Sequence, residues 1–148
     1  STVTAATATV QITESLTLAN VDRGGSHTRT IPNVAEADRR VMTVASSGET
    51  DLVELNSANG RGKFVRASIR YIRITNLDDT NFIRVRFKKS GAETADVKVS
   101  AGATFMLSTG SMDVDATASA FSAFVDIDDI SAQADTADVD IEFVVFAV

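Results

Sequence analysis

The stretch Ser68–Ser90, SIRYIRITNLDDTNFIRVRFKKS, decides the fold class of this 148-residue chain. Its second half alternates, with Ile83, Val85 and Phe87 on one face and charged or polar side chains between them. A period of two is typical of a half-buried β-strand, because successive side chains point to opposite faces. The Asn- and Asp-rich segment Thr75–Asn81 suits a tight turn. We therefore predict two strands joined as a β-hairpin, around which the rest of the chain is built.

In the first strand of this stretch, the apolar residues change from odd to even positions. Apolar residues occupy odd positions up to Ile69 and even positions from Ile72 onward. A β-bulge near Tyr71 would shift the register by one residue. Burial of both faces over a few residues is the other explanation, and the sequence leaves both open.

Short apolar alternations separated by turn residues recur along the chain. The cleanest covers Ala137–Val148, whose last residues are apolar on both faces, so a second sheet and a neighbouring element or subunit are expected to cover it. Many short strands about ten residues apart indicate a sandwich, a jelly roll or a barrel. Of these we predict an all-β protein with antiparallel strands, a β-sandwich or jelly-roll-like single domain. The predicted strands are Val10–Leu18, His27–Val34, Arg40–Ala45, Asp51–Leu55, the two strands of Ser68–Ser90, Ala95–Ser100, Ala103–Ser108, Ser111–Ala116, Ala120–Ile127 and Ala137–Val148.

Other segments are predicted to lie outside these strands. Residues 1–9, rich in Thr and Ala, are predicted to form a flexible N-terminal arm, and residues 10–148 the single β domain. Ala35–Arg40 is interpreted as one helical turn and Asp126–Asp135 as a loop or short turn. Pro32, the only proline, cannot donate a ladder hydrogen bond, which favours an edge or irregular position.

Composition limits the classes of function. Cysteine is absent, which excludes disulfides and thiol chemistry, and no apolar run is long enough to predict a membrane span. The net charge of −6 argues against nucleic-acid binding. Most basic residues lie between Arg61 and Lys89, and none follows Lys98. The folded sheet is expected to pair the basic and acidic regions; charge pairing between protomers is the alternative.

The sequence does not reveal a catalytic centre, and we predict no catalytic, metal-binding or cofactor-binding residue. His27, the only histidine, is interpreted as a surface residue rather than part of a Ser–His–Asp triad. Asp113 and Asp115 share a strand face, as solvent-facing carboxylates or a glycosidase pair would. The cluster Asp126, Asp128 and Asp129 lacks the glycine and distal glutamate of a calcium loop and is interpreted as a solvated acidic loop.

Three segments carry a family resemblance. Ile72–Ile83, Val97–Leu107 and Ile130–Glu142 resemble small virion proteins of tailed bacteriophages. The resemblance covers about the second half of the chain and implies a non-enzymatic structural protein. Such proteins often form trimers at local three-fold positions of a capsid and cement its capsomers. The resemblance therefore implies a homotrimer on the capsid surface, assembled in the host cytoplasm. Its implied partner is the major capsid protein, and neither nucleic acid nor a membrane is expected as a partner.

Two surfaces are expected to make these contacts. The basic side chains of Ser68–Ser90 would dock to an acidic neighbour, unless they form cross-strand pairs within the sheet. The apolar end of the last strand, with the N-terminal arm, would contact other protomers. A tail, baseplate or head-fibre component that binds a host receptor or glycan is the alternative function. The predicted interface residues are Arg70, Arg73, Arg84, Arg86, Val144, Phe146 and Val148.

Overall fold

The computed structural model describes residues 3–55, 62–89, 92–114 and 124–148. Within these ranges the regular secondary structure consists of strands and one 3-10 turn, Arg66–Ser68. In chain order the strands are β1 (Ala6–Glu14), β2 (Thr17–Leu18), β3 (Val21–Asp22), β4 (Gly25–Val34), β5 (Glu36–Val44), β6 (Thr50–Glu54), β7 (Ile69–Asn76), β8 (Ile83–Lys89), β9 (Ala92–Val99), β10 (Thr104–Ser108), β11 (Asp113–Val114), β12 (Val125–Asp126), β13 (Asp129–Ala134) and β14 (Val139–Ala147). No helix in these ranges is long and apolar enough to cross a lipid bilayer.

Eight of these strands form two four-stranded antiparallel sheets. The first sheet has the order β10-β7-β14-β5 and the second the order β6-β13-β8-β9. Every connection between consecutive sandwich strands crosses from one sheet to the other, except the step from β8 to β9. The crossing from β10 to β13 also contains the short strands β11 and β12. This order is that of an eight-stranded jelly roll. The prediction of an all-β single domain with antiparallel strands, a β-sandwich or jelly-roll-like fold, is confirmed.

The core lies between the two sheets. Ile72, Ile74 and Phe143 point inward from the first sheet, and Ile83 and Val85 point inward from the second, all fully buried. The rings of Phe87 and Phe105 meet across the sheets, with centroids 5.4 Å apart. The inward positions predicted for the last strand are confirmed, since its alternating side chains Val139, Ile141, Phe143 and Val145 are all buried.

The hairpin predicted for Ser68–Ser90 was wrong. Both strands exist, but β7 pairs with β10 and β14, whereas β8 pairs with β9 and β13. The turn between them therefore carries the chain from one sheet to the other. Asp78 Oδ1 accepts hydrogen bonds from the backbone N–H groups of Thr80 (2.7 Å) and Asn81 (2.6 Å), which fixes this crossing. This arrangement buries the apolar face of each strand as well as a hairpin would, because the two faces meet in one core.

The parity change in β7 has both of the predicted causes. Phe146 lies opposite Tyr71 but Ala147 lies opposite Ile69, so Arg70 is the extra residue of a β-bulge. Tyr71 is nevertheless buried, on the outer face of the first sheet. The bulge and the burial of both faces therefore occur together.

Two other predictions were wrong. Ala35–Arg40 is not a helical turn, because Glu36–Val44 forms β5 and pairs along its whole length with β14. Asp126–Asp135 is not a loop, because Asp129–Ala134 forms β13 between β6 and β8. Small residues such as Ser131 and Ala132 gave β13 a weak apolar pattern, yet both are buried.

The N-terminal and late strands differ in extent from prediction. β1 begins at Ala6, within the expected arm, and pairs with β4. Pro32 lies where the register of β4 shifts, beside Asn33 at a φ of 60°, so its predicted irregular position is confirmed. Of the strands predicted at Ser111–Ala116 and Ala120–Ile127, only the short pair β11 and β12 is described, and residues 115–123 lie outside the described ranges.

Candidate protein interface

An N-terminal hairpin precedes the jelly roll. It consists of β1 and β4 with the small tip strands β2 and β3, and we call residues 6–34 the N-terminal hairpin. Its basal part covers the outer face of the first sheet, where Ile31 is buried with Tyr71 and Val144. The ring of Tyr71 also stacks on that of Phe146, with centroids 5.2 Å apart. The partly buried side chains around this contact are Ala8, Val10, Val34, Met106, Phe146 and Val148.

Polar contacts fix the direction in which the hairpin crosses the sheet. At the β5 side, the N–H of Ala35 donates to the carbonyl of Ala147 (3.0 Å). At the other side, the Arg29 guanidinium donates to the carbonyl of Arg70 (2.8 Å) and to Oγ of Ser108 in β10 (2.7 Å). The hairpin therefore runs across β14 and β7 toward the β10 edge of the sheet.

Beyond Arg29 the hairpin leaves the sandwich. In this distal half, residues 11–28, every residue is exposed except the partly buried Gly24. Exposure of both faces means that no part of the described chain covers it. A two-stranded ribbon is only marginally stable alone in water, so this segment is an element that a partner would stabilise.

The two faces of the ribbon have different chemistry. Residues that are directly opposite in an antiparallel pair share a face. One face, the polar face, contains the pairs Thr9 and Thr30, Gln11 and Thr28, and Thr13 and Ser26. The other, the apolar face, contains Ala8 opposite Ile31, Val10 opposite Arg29, and Ile12 opposite His27. In the exposed distal half this face carries Ile12 opposite His27 and then Glu14 opposite Gly25, so Ile12 is the one large apolar side chain that the β1–β4 pair presents there.

The tip of the hairpin adds further exposed apolar side chains. Leu18 lies opposite Val21, and the two residues between them, Ala19 and Asn20, both have positive φ (49° and 61°), as a tight hairpin turn requires. Leu16, Leu18 and Val21 are 53%, 62% and 47% exposed. Fully burying such a side chain stabilises by about 1.5–3 kcal/mol. The tip is therefore a source of binding free energy that the described chain does not use.

A glycine shapes the return from the tip. A Cβ at Gly24 would collide with the backbone oxygen of Glu14, and the Gly24 N–H donates to Oδ1 of Asp22 (2.8 Å). The backbone N–H of Arg23 donates to the carbonyl of Leu16 (2.7 Å). These contacts hold the tip strands against the ends of β1 and β4.

The predicted basic interface residues do not form one surface. Arg70 and Arg73 belong to the first sheet, whereas Arg84 and Arg86 belong to the second, because β7 and β8 lie in different sheets. Arg70 donates to the backbone carbonyls of Ala67 and Ile69 (2.6 and 3.0 Å) within the bulge. A single docking face built from all four residues is therefore not present.

Three of these arginines are in ion pairs within the chain. Arg73 bonds to Glu142, and Arg86 makes a two-pronged contact with Asp96 (2.7 and 2.9 Å). Arg84 lies 3.7 Å from the same Asp96 carboxylate. The cross-strand pairing considered from the sequence is confirmed, as is pairing of the basic region with the acidic C-terminal region at Glu142.

These pairs shift the pKa values of their carboxyl groups. The hydrogen bond from Arg73 lowers the pKa of Glu142, and the hydrogen bonds from Arg86 lower that of Asp96. The hydrogen bond from Lys88 lowers the pKa of Glu49. The carboxylates therefore remain charged and paired with basic neighbours at neutral pH, which leaves these basic groups less available to an acidic partner.

The apolar C-terminal candidates lie under the hairpin. Val144 is buried with Ile31, and Phe146 and Val148 are partly buried beside it. Of the two covers predicted for the outer face of the last strand, a neighbouring element or a subunit, the structure of one chain shows the element: the N-terminal hairpin. The sequence carried a signal for this cover, since β1 has apolar residues at alternating positions, but it did not say where that face would dock.

The acidic candidates lie at one end of the sandwich. Arg66 contacts Asp126 (2.9 Å) and Asp128 (2.6 Å), so these two carboxylates have a basic partner. Asp113 lies opposite Asp126 in the pair β11 and β12, whereas Asp115 is outside the described residues. Among the residues that the structure describes, no group of three or more acidic or histidine side chains is arranged to hold a metal ion.

Asp129 differs from its neighbours in the cluster. Burial, followed by the nearby Asp51 carboxylate, raises its pKa above the usual range. Its Oδ1 is buried and has no hydrogen-bond donor among the described residues. His27, by contrast, is exposed on the hairpin opposite Ile12.

Comparisons with protein-family models, with curated proteins and with solved structures gave no significant match. The fold and the candidate site together define an eight-stranded jelly roll with an N-terminal hairpin that extends beyond it.

Proposed function

We propose that this chain is a structural assembly protein of the capsid-decoration kind, acting through protein–protein contacts. The distal half of the N-terminal hairpin carries this proposal. It is exposed on both faces and presents Leu16, Leu18 and Val21 to solvent. An ordered ribbon with an exposed apolar face is the form expected of an element that adds to a neighbouring protein.

The fold supports this proposal by analogy only. Jelly rolls occur in viral capsid proteins, in lectins and in other binding domains, and a fold alone does not determine function. The resemblance of Ile72–Ile83, Val97–Leu107 and Ile130–Glu142 to small phage virion proteins favours the capsid among these roles. The proposed partner is the major capsid protein, and the proposed location is the capsid surface after assembly in the host cytoplasm.

The internal ion pairs change how attachment would occur. Arg73 and Arg86 are already paired with Glu142 and Asp96, so docking through a basic surface would first require these pairs to open. Exposed apolar side chains need no such exchange. Attachment through the N-terminal hairpin is therefore the form of the proposal that the geometry favours, in place of a basic docking face.

The test is reconstitution on capsids that lack the protein. We expect the purified chain to co-sediment with such particles and to raise their survival of heat and osmotic shock, because disrupting the particle then also breaks the added contacts. A Leu16→Ser, Leu18→Ser, Val21→Ser variant is expected to bind at least ten-fold more weakly, whereas Val41→Ser, which alters an exposed side chain of β5 (63% exposed), leaves binding unchanged.

Equal survival of particles with and without the chain would contradict the decoration role. Specific retention of the chain on host cells, without binding to capsids, would instead support the alternative of a tail, baseplate or head-fibre component. Its site would then be sought in the cleft of about 450 Å³ beside Arg66, whose described lining includes Ser111, Asp113 and Asp126.

A further inference from the structure

We infer that a cleft on the outer face of the second sheet binds a neutral sugar ring. The cleft has a volume of about 220 Å³, and its described lining consists of Phe82, Arg84, Gln133, Ala134 and Asp135. The inference goes beyond the proposed function and does not depend on it. The N-terminal hairpin covers the outer face of the other sheet, so a chain attached through its hairpin would leave this cleft accessible.

The pairing of β8 with β13 places these side chains together. Arg84 lies opposite Gln133 in the ladder, on the face that points away from the core. One step further along, the N–H of Asp135 donates to the carbonyl of Phe82 (3.1 Å), so these two residues also lie side by side. Directly opposite side chains on one sheet face are about 4.5–5.5 Å apart. The four side chains therefore form one compact cluster.

Phe82 supplies the apolar wall of the cleft. Its side chain is partly buried, and the Lys98 ammonium of the neighbouring strand β9 lies 4.1 Å from the ring centroid. This cation–π contact holds the ring in place. An aromatic ring offers a large, rigid apolar surface, against which the C–H groups of a sugar ring pack.

Arg84 supplies hydrogen-bond donors. Its side chain is 59% exposed, and Asp96, the closest carboxylate among the described residues, lies 3.7 Å away, beyond hydrogen-bond distance. That carboxylate already accepts two hydrogen bonds from Arg86 (2.7 and 2.9 Å). The guanidinium of Arg84 therefore keeps N–H groups for a ligand.

Gln133 and Asp135 supply acceptors. Nε2 of Gln133 donates to the carbonyl of Ser46 (2.9 Å), which fixes the amide and leaves its Oε1 for a ligand. Asp135 is exposed, and within the described part of the chain it forms no ion pair with a basic side chain. Its carboxylate oxygens are therefore available to accept hydrogen bonds from hydroxyl groups.

This combination selects a neutral sugar over a charged ligand. Each sugar hydroxyl both donates and accepts, which matches a guanidinium beside amide and carboxylate oxygens. The opposite charges of Arg84 and Asp135 balance, so an anion would meet the carboxylate and a cation the guanidinium. The cleft is smaller than the roughly 300–1,000 Å³ of sites for drug-sized molecules, which suits a single ring.

The cleft beside Arg66 does not offer the same combination. The Arg66 guanidinium is already bound to Asp126 and Asp128 (2.9 and 2.6 Å). Its described lining also contains no aromatic side chain. The cleft at Phe82 is therefore the one that we assign to a sugar.

Titration of the full, isotope-labelled chain by nuclear magnetic resonance tests the site. The probes are the methyl glycosides of glucose, galactose, mannose, N-acetylglucosamine and fucose, with glucuronate as the charged comparison. We expect at least one neutral probe to shift the amide signals of Phe82, Arg84 and Gln133, with the millimolar affinity typical of one small ring. No shift of these signals with any neutral probe, or a response to glucuronate alone, would overturn the inference.

Substitutions in the cleft show where the probe binds. We expect Arg84→Gln and Asp135→Ala each to weaken its affinity by about ten-fold or more, because a hydrogen bond to a charged group is lost. Arg39→Gln, which alters an exposed arginine side chain of the first sheet (68% exposed), is the matched control and should bind as wild type does. Equal affinities of all these chains would place the binding elsewhere and contradict the inference.

Capsid binding is a separate readout. The Arg84→Gln variant should co-sediment with capsids as wild type does, because the cleft and the hairpin lie on different sheets. The Leu16→Ser, Leu18→Ser, Val21→Ser variant should keep its affinity for the sugar for the same reason. Sugar binding without capsid binding supports this inference and removes the capsid role, and capsid binding without sugar binding does the reverse.

Discussion

At the scale of single residues, Asn76 shows how one side chain holds the crossing between the sheets. It lies at the end of β7 and is 1% exposed. Its Nδ2 donates to the carbonyls of Asn81 (2.9 Å) and Val99 (3.2 Å), and its Oδ1 accepts from the N–H of Asp78 (2.9 Å). The amide thus joins the end of β7, the crossing turn and the end of β9, where no ladder hydrogen bond can do so.

Replacing this amide should be costly. We expect Asn76→Ala to lower the free energy of unfolding by about 2–4 kcal/mol, because buried backbone groups lose their partners. Urea denaturation measures the change. The neighbouring Leu77→Ala, at an exposed side chain, is the control and should alter stability by less than about 1 kcal/mol. Equal effects of the two substitutions would show that the Asn76 hydrogen bonds do not stabilise the crossing.

At the scale of elements, the N-terminal hairpin has two halves with different energetics. Its base is held by Ile31 in a small cluster separate from the main core and by the Arg29 hydrogen bonds to Arg70 and Ser108. Its distal half has no such contacts. The hairpin can therefore detach while the eight strands of the sandwich remain paired, so it forms a local unit of stability.

Loss of the Ile31 side chain should release this unit. We expect Ile31→Ala to weaken attachment of the hairpin by about 2 kcal/mol or more through the cavity left against Tyr71 and Val144. Hydrogen exchange measured by mass spectrometry should rise within residues 6–34 and stay slow in β8 and β13. Ile12→Ala, on the exposed half, is the matched control and should leave exchange at the base unchanged. A uniform rise across both sheets would contradict a separate unit.

At the scale of the whole molecule, ionisation of the carboxyl groups sets the pH dependence. Hydrogen bonds and nearby basic groups lower the pKa values of Glu49, Asp96 and Glu142. Groups with a lowered pKa stabilise the fold above their unfolded pKa values and lose that contribution as the pH falls through their folded values. Asp129 has the opposite sign, since its raised pKa makes the charged form unfavourable in the folded state.

This opposition yields a prediction for Asp129→Asn. At pH 7 we expect the variant to be more stable than wild type by up to about 1 kcal/mol, allowing for solvent screening at a half-buried site, because a buried charge has been removed. The advantage should shrink as the pH falls through the raised pKa of Asp129, where the wild-type carboxyl gains a proton. Melting temperatures between pH 3 and 7 measure it. Asp135→Asn, at the exposed residue after β13, is the control and should show no such trend. If the Asp129→Asn variant stayed more stable than wild type at low pH, its advantage would not come from the charge.

Local alternation in the sequence determined much of the fold. The period of two in Ile83–Phe87 and in Val139–Val145 identified strands and their inward faces correctly, and the spacing of such segments indicated a sandwich or jelly roll. Turn chemistry placed the bend at Thr75–Asn81. These properties follow from how side chains alternate along a strand, which depends only on neighbouring residues.

Only the tertiary structure decided which strands pair. Alternation says that β7 and β8 each have an apolar face, but pairing partners are distant in sequence, and the same faces suit a hairpin or a crossing between sheets. That choice separated Arg73 from Arg86, each paired with its own carboxylate, and brought the hairpin over Val144. It also made a strand of Glu36–Val44, where pairing with β14 outweighed local helix propensity. The exposed apolar face of the hairpin emerges for the same reason, because exposure depends on where the surrounding sheet ends.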